Sequence, residues 1–185
     1  MNLPNKLTVL RLCMVPVFLL FLCLPLPLSD TVIRIVTAVI FILTSLTDML
    51  DGKIARKYNL ITDFGKFMDP LADKFLVIAA MLGILAYCDE LRAVFVWAAA
   101  IVIFRELAVT SIRLVAAQKS GLVVAASWLG KIKTTTQMIC VCTVLLEPVV
   151  FPFFAESHIL SYVTTAAMTV MTLWSGIDYL RTYWK

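Results

Sequence analysis

Long apolar segments recur along this chain, and they restrict it to folds that lie within a lipid bilayer. Hydrophobic residues make up 62% of the 185 positions and charged residues only 15%, which is typical of integral membrane proteins. An α-helix needs about 20 apolar residues to cross the hydrocarbon core. Six segments have roughly this length, at residues 7–28, 32–55, 66–87, 93–117, 132–150 and 158–182. We therefore predict an all-α integral membrane protein of six transmembrane helices, forming one domain over residues 1–185.

The distribution of lysine and arginine predicts how these helices are oriented. Positive residues accumulate on the cytoplasmic side of membrane proteins. In this chain they adjoin alternate connections, at Lys6, Arg11, Lys53, Arg56, Lys57, Lys119, Lys131, Lys133, Arg181 and Lys185. The other connections carry the acids Asp30, Asp89, Glu90, Glu147 and Glu156, with Arg34 and Arg92 as positive residues. Both termini are therefore predicted to be cytoplasmic, with a basic rim that suits anionic headgroups or phosphorylated substrates and not nucleic acid.

Aromatic residues are concentrated at the end of the last segment. They are Trp174, Tyr179, Tyr183 and Trp184. Trp and Tyr are enriched where a helix passes through the membrane interface. We expect these four side chains to form an interfacial belt.

Four carboxylates interrupt the apolar sequence of the second and third segments. Asp48 and Asp51 are three residues apart, and Asp69 and Asp73 are four apart. Residues at these spacings share one face of a helix, so two antiparallel helices would bring the four acids together. Neighbouring carboxylates in a low-dielectric setting repel one another unless cations neutralise them, and all-oxygen ligation suits hard ions. We predict that the four acids hold two Mg or Mn ions.

Small and cationic residues adjoin these acids in a way that suits a pyrophosphate. Gly52 and Gly65 allow a ligand or a facing helix to approach the backbone closely, and Arg56 can bind a phosphate through two hydrogen bonds. An alternative is that the acids form ordinary ion pairs with nearby lysines, at Lys53, Lys57, Lys66 and Lys74. The two helix-spaced pairs of acids favour the metal site.

The same residues resemble the signature of a known family, the CDP-alcohol phosphotransferases. The signature positions are matched by Asp48, Asp51, Gly52, Ala55, Arg56, Gly65, Asp69 and Asp73. The resemblance implies a homodimeric, multi-pass enzyme of the bacterial cell membrane that transfers a phosphatidyl-type group from a CDP-linked lipid to an alcohol and releases CMP. It also implies an active site facing the cytoplasm, with Asp73 as general base as well as metal ligand. The contacts that it implies to the CDP-lipid come from Gly52, Ala55, Arg56, Thr62 and Gly65.

The start of the chain also looks like the start of this family's first helix. The string is Pro4-Asn5-x-Leu7-Thr8-x-x-Arg11. The resemblance implies that Asn5 and Thr8 contact the CDP-lipid. The alternative is that Asn5 or Thr8 caps the helix, with Arg11 as a charge that sets topology. On sequence alone both interpretations stay open.

A second group of cations, in the fourth and fifth segments, bears on which alcohol is accepted. Arg105 and Arg113 are eight residues apart and share roughly one helix face, and Lys131 and Lys133 lie at the start of the fifth segment. A neutral acceptor would not need these charges, whereas a phosphorylated one would. The strings Arg105-Glu106, Ser111-x-Arg113 and Trp128-x-Gly130-Lys131-x-Lys133-Thr134 moreover resemble the bacterial branch of the family whose acceptor is glycerol 3-phosphate.

We therefore expect CDP-diacylglycerol and sn-glycerol 3-phosphate as substrates, with Arg105, Arg113, Lys131 and Lys133 binding the acceptor's phosphate. An alternative for Arg105 is an internal pair with Glu106 or another buried acid. For the two lysines the alternative is anchoring to anionic lipids.

Other functions would use similar residues in different ways. A sister enzyme of the family would accept an inositol phosphate or serine, or make cardiolipin. An intramembrane prenyl transferase also uses Asp-rich metal sites, but its chemistry does not demand the pattern of Gly52, Ala55-Arg56 and Gly65. A divalent-cation transporter would need acids near the bilayer midplane, whereas these acids cluster toward one membrane face.

Overall fold

The computed structural model describes residues 2–57, 63–120, 128–154 and 156–183, with side chains except at 3, 4, 48–57, 63–67, 69, 70, 73, 114–120, 182 and 183. These residues form six α-helices and one short 3₁₀ helix at Pro152–Phe154, and they contain no β-strand. The helices are α1 (Leu3–Cys23), α2 (Asp30–Lys57), α3 (Asp63–Tyr87), α4 (Arg92–Ser120), α5 (Trp128–Val150) and α6 (Ile159–Tyr183). The prediction of an all-helical chain with six helices in this order is confirmed.

The first helix differs most from the segment predicted for it. It begins at Leu3 and ends at Cys23, whereas the apolar pattern suggested residues 7–28. Pro4 is tolerated in the first turn, where a backbone N–H has no helical partner in any case. Pro25 and Pro27 follow the helix and prevent its continuation. Hydropathy alone misplaced both ends because it does not register these backbone constraints.

Three segments within these helices are long and apolar enough to cross a membrane. They are Asn5–Cys23 in α1, Asp30–Thr47 in α2 and Arg92–Arg113 in α4, and α3 adds a shorter apolar stretch at Lys74–Tyr87. At most 39% of each long segment is buried inside the bundle, and large apolar side chains such as Leu10, Leu43 and Phe104 are exposed. An exposed apolar surface of this extent fits a protein that lies in a membrane.

The helices pack around one apolar core to which all six contribute. Buried side chains from α1 to α6 in order include Phe18, Phe41, Met81, Phe95, Leu145 and Met168. α1 packs along both α2 and α3, α5 packs on α6 and α2, and α4 packs on α6 and α3. The two helices that carry the predicted metal ligands, α2 and α3, are therefore joined largely through α1.

A glycine allows the close contact between α1 and α3. A Cβ atom added to Gly83 would lie 2.7 Å from Cδ1 of Leu22 and 3.3 Å from Cε1 of Phe18. Ala79, one turn earlier, is also buried. Small residues one turn apart let helices pack closely within membranes, so Gly83 helps to hold α3 against α1.

The substitution Gly83→Val is expected to destabilise the protein by about 1–3 kcal/mol, because the added atoms overpack the contact between α1 and α3. Thermal unfolding of the detergent-solubilised protein measures the effect as a lower Tm. Ala86→Val, at an exposed position of the same helix, is the matched control and should leave Tm nearly unchanged. Equal Tm values for the two variants would contradict a tight contact at Gly83.

A buried arginine joins three helices at the end of α2 that is remote from Asp48 and Asp51. Arg34 Nε donates a hydrogen bond to Asp30 at 2.6 Å, and Nη1 donates one to the Val144 carbonyl of α5 at 3.5 Å. The guanidinium carbon also lies 5.2 Å from the ring centre of Tyr87. Asp30 and Arg34, which the sequence assigned to a connection, are therefore part of the helix packing.

A carboxylate at the end of α5 caps the start of α6. Glu147 is 1% exposed, and its Oε1 accepts a hydrogen bond from the Leu160 backbone N–H at 2.9 Å. Its Oε2 accepts from the Ser161 backbone N–H at 2.8 Å and from the Ser161 hydroxyl. The first backbone N–H groups of a helix have no partner within the helix, so Glu147 satisfies two of those of α6.

Candidate functional site

The four predicted metal ligands lie on α2 and α3, toward the connection between these helices. Asp48 and Asp51 belong to the last third of α2, and Asp69 and Asp73 to the first half of α3. Both segments are helical as predicted, so the spacings place each pair on one face of its helix. The four side chains are not among those described, and the metal site itself stays a prediction.

The predicted CDP-lipid residues of the signature flank the same connection. Gly52, Ala55 and Arg56 lie in the last two turns of α2, and Gly65 lies in the first turn of α3. Their side chains are also outside the described set, and Thr62 lies outside the described residues altogether. The helix bounds thus keep the signature residues near one end of the α2–α3 pair.

Asn5, Thr8 and Arg11 lie on the buried side of α1. Each is less than 9% exposed. The N-cap of α1 is Asn2, so Asn5 and Thr8 are inside the helix and the interpretation of either as a cap is wrong. Polar side chains are costly to bury among apolar helices unless they have a partner, and burial of three of them marks this stretch as part of a polar interior.

A small enclosed pocket lies where α1, α2, α3 and α5 meet. Its polar lining consists of Arg11, Ser45, Thr134 and Gln137. Ser45 is three residues before Asp48 on α2, so the pocket begins about one turn from that acid. It leaves about 10 Å³ for the centre of a water-sized molecule, which is room for roughly one water.

Two polar groups of this pocket lack partners in the described part of the chain. The Ser45 hydroxyl and both amide atoms of Gln137 are buried without a hydrogen bond to any described residue. Buried polar groups are nearly always satisfied by protein, water or ligand. The sequence interpretation gave Gln137 and Ser45 no role, since neither stands out from its neighbours by charge or spacing.

Arg105, Glu106 and Lys133 form a buried ion-pair cluster between α4 and α5. Lys133 Nζ donates a hydrogen bond to Glu106 Oε1, and Arg105 Nη1 donates one to the same oxygen at 3.3 Å. None of the three side chains is more than 11% exposed. The internal pair considered for Arg105 is therefore present, but one carboxylate is shared by two cations.

This cluster lies beside the helix that carries Asp69 and Asp73. The Lys74 ammonium interacts electrostatically with the Glu106 carboxylate. Lys74 directly follows Asp73 on α3. The cations predicted to bind the acceptor therefore adjoin the segment predicted to bind metal.

Arg113 extends the group of cations along α4. Its guanidinium carbon lies 5.2 Å from the ring centre of Tyr179 on α6, and its charge interacts with that of Arg105. Lys131, by contrast, is exposed. It is two residues from buried Lys133, and a helix turns about 200° over two residues, so Lys131 faces the other side of α5. Three of the four predicted cations, Arg105, Arg113 and Lys133, therefore lie near one another.

Residues of α6 support these cations, and the sequence interpretation missed them. Arg105 Nη2 donates a hydrogen bond to Ser175 Oγ at 2.6 Å, and a Cβ added to Gly176 would lie 3.3 Å from Arg105 Cγ. Thr172, Ser175, Gly176 and Tyr179 lie at positions i, i+3, i+4 and i+7, which share one face of a helix. That helical stripe of small and polar residues is the signal that could have revealed them.

The predicted aromatic belt is wrong for one of its members. Tyr179 is 6% exposed, whereas Trp174 is 60% exposed as expected. The Tyr183 side chain and Trp184 lie outside the described parts of the chain. Tyr179 therefore belongs to the interior of the bundle, where its ring meets Arg113.

Apolar helices surround the buried cluster of Arg105, Glu106 and Lys133 next to an acid-bearing helix. This arrangement fits a membrane protein whose interior suits phosphorylated ligands. The chain belongs to the CDP-alcohol phosphatidyltransferase family, whose model matches residues 1–175. This match confirms the resemblance drawn from the signature residues.

Sequence similarity to named relatives extends over nearly the whole chain. It is 42% identical to the CDP-diacylglycerol--glycerol-3-phosphate 3-phosphatidyltransferase of Bacillus subtilis (strain 168), covering 100% of this chain and 96% of the relative. The enzyme of the same name from Escherichia coli (strain K12) is 36% identical over 97% of this chain and 93% of its own length. A probable phosphatidylglycerophosphate synthase of Mycobacterium tuberculosis (strain ATCC 25618 / H37Rv) is 38% identical over 97% of this chain and 80% of its own.

Proposed function

We propose that this protein transfers the phosphatidyl group of CDP-diacylglycerol to sn-glycerol 3-phosphate, giving phosphatidylglycerophosphate and CMP. The names of the relatives support this activity. The observation that carries the choice of acceptor is the cluster in which Arg105 and Lys133, at most 11% exposed, share the Glu106 carboxylate, with the partly buried Arg113 beside them. Several cations close together in apolar surroundings favour a dianionic ligand over a neutral alcohol.

The reaction changes the bonds at a single phosphorus atom. The free hydroxyl of the acceptor attacks the phosphorus attached to diacylglycerol, and a new P–O bond forms. The bond from this phosphorus to the oxygen that bridges to CMP breaks, and CMP leaves with the electron pair. Asp73, as general base, takes the proton of the attacking hydroxyl.

Asp48, Asp51, Asp69 and Asp73 would hold two divalent ions, Mg or Mn. A donor set made only of carboxylates fits these hard cations. When bound, the ions would neutralise the charge on the departing phosphate and polarise the attacked phosphorus. In this assignment Asp73 would help to hold one of the ions and would also accept the proton.

The CDP half of the donor would be bound by residues from α1, α2, the start of α3 and the connection between α2 and α3. These are Asn5, Thr8, Gly52, Ala55, Arg56, Thr62 and Gly65. The burial of Asn5 and Thr8 supports a role inside the bundle. Arg56 would bind a donor phosphate through its two parallel N–H groups, and the glycines would let the pyrophosphate approach the backbone.

All six helices are proposed to cross the membrane as one domain, with both termini in the cytoplasm and two chains forming a homodimer. The exposed apolar surface and the three long apolar segments support a membrane location. The site would open to the cytoplasmic face of a bacterial cell membrane, where the basic connections lie. The acyl chains of the donor would extend sideways between helices into the bilayer, while glycerol 3-phosphate arrives from the cytoplasm.

The purified protein is expected to release CMP from CDP-diacylglycerol only when glycerol 3-phosphate and Mg or Mn are both present. Release is measured with a panel of acceptors: glycerol 3-phosphate, inositol phosphate, serine and phosphatidylglycerol. Chelation with EDTA should abolish release, and added Mg or Mn should restore it, because the ions carry part of the leaving-group charge.

Release with another acceptor but none with glycerol 3-phosphate would move the protein to another branch of the family. Full activity in EDTA would refute the metal assignment. Divalent-ion flux in proteoliposomes, in the absence of CMP release, would support the transporter alternative instead.

A further inference from the structure

Tyr179 has an unusual environment for a tyrosine of a membrane helix. It is 6% exposed, its ring lies 5.2 Å below the Arg113 guanidinium, and it interacts electrostatically with Arg105. Its hydroxyl makes no hydrogen bond to the residues that the structure describes. A buried phenol hydroxyl normally has a partner, so this one calls for an explanation.

The surroundings of the hydroxyl indicate what the missing partner is. Arg105 and Arg113 carry only donors, so neither can accept the phenolic proton. The carboxylate linked to Arg105, that of Glu106, already accepts hydrogen bonds from Arg105 and Lys133. A ligand oxygen that accepts hydrogen bonds and carries negative charge would satisfy the hydroxyl and both guanidinium groups together. A phosphate has such oxygens.

The neighbours of Tyr179 on α6 position one of these arginines. Ser175, fully buried and one turn before Tyr179, accepts a hydrogen bond from Arg105 Nη2 at 2.6 Å. Gly176 leaves space for the Arg105 side chain, since a Cβ there would lie 3.3 Å from Arg105 Cγ. α6 therefore supports Arg105 through Ser175 and Gly176, and Arg113 through the ring of Tyr179.

We propose that the Tyr179 hydroxyl donates a hydrogen bond to the phosphate of the acceptor alcohol, which lies between Arg105 and Arg113, and that Ser175 positions Arg105 for the same phosphate. This assignment rests on the proposed function. It gives α6 a direct part in selecting a phosphorylated acceptor over a neutral one, because an apolar side chain at 179 would leave a phosphate oxygen unsatisfied.

The decisive variant is Tyr179→Phe, which keeps the ring against Arg113 and removes only the hydroxyl. We expect KM for glycerol 3-phosphate to rise about tenfold, as for the loss of one hydrogen bond to a charged group. KM for CDP-diacylglycerol and Tm should stay near those of the unaltered protein. Ser175→Ala should raise the same KM by a smaller factor, again without a change in KM for the lipid.

Two further variants make the result interpretable. Tyr162→Phe removes the hydroxyl of an exposed tyrosine near the other end of α6 and should leave both KM values unchanged. Arg113→Ala should raise KM for glycerol 3-phosphate more than KM for CDP-diacylglycerol. If Arg113→Ala has this effect and Tyr179→Phe does not, the role of the hydroxyl is refuted while the acceptor site stands.

Other outcomes are equally informative. A rise in KM for CDP-diacylglycerol in Tyr179→Phe would assign the hydroxyl to a donor phosphate and overturn the proposal. If no acceptor supports CMP release in the unaltered protein, the proposed function itself fails.

Discussion

The substitution Asp73→Asn is expected to lower the rate of CMP release by roughly 10²–10⁴-fold, the usual contribution of a general base. The amide has nearly the shape of the carboxylate but cannot take up the proton of the attacking hydroxyl. It is also a weaker ligand for a divalent ion. The fold should be unaffected, since Asp73 lies on a helix held to α1 by the apolar contact around Gly83.

The measurement compares three properties of the purified variant: the rate of CMP release, the affinity for labelled CDP-diacylglycerol and Tm. The variant should retain much of the affinity for CDP-diacylglycerol, and its Tm should be unchanged. Asp89→Asn, which alters an exposed acid paired with Arg92 on the surface, is the matched control and should keep full activity. A near-normal rate for Asp73→Asn would show that another group accepts the proton.

The general architecture was predictable because one physical requirement dominates it. Apolar segments long enough to cross a bilayer form helices there, so the number and order of the six helices followed from hydropathy. The placement of each pair of acids on one helix face was predictable for a related reason. Their three- and four-residue spacings imply shared helix faces once the segments are known to be helical, and the structure confirms helices at both places.

The contacts of α6 with Arg105 and Arg113 were not predictable, because they join residues that are far apart in the chain. Ser175 is 70 residues from Arg105, and neither residue indicates the other by local pattern. Tyr179 was assigned to an aromatic belt because tyrosines near the ends of membrane helices usually lie there. Its burial depends on which face of α6 meets α4, and a single sequence does not specify that face.

The role of Glu147 was not predictable from the sequence either. The sequence placed this acid in a connection between helices, whereas in the structure it is buried and caps the start of α6. A carboxylate in an apolar interior is costly, and without a partner it would argue for a functional site. Here the partners are the Leu160 and Ser161 backbone N–H groups and the Ser161 hydroxyl. These donors belong to the start of α6, where the helix dipole also favours a negative charge. Glu147 therefore has a structural explanation as a helix cap.

The substitution Glu147→Ala is accordingly expected to destabilise the protein by about 2–4 kcal/mol, since it leaves buried donors without acceptors. In detergent this should appear as a Tm lower by roughly 5–10 °C. Activity per folded molecule should be unchanged, because Glu147 lies one turn past Val144, which contacts Arg34 at the end of α2 remote from Asp48 and Asp51. Glu147→Gln should show a smaller loss, because its amide oxygen still accepts one hydrogen bond. The control Glu156→Ala removes an exposed acid from the same α5–α6 connection and should leave Tm unchanged. Loss of activity without loss of Tm in Glu147→Ala would contradict the capping role and bring this carboxylate into the chemistry.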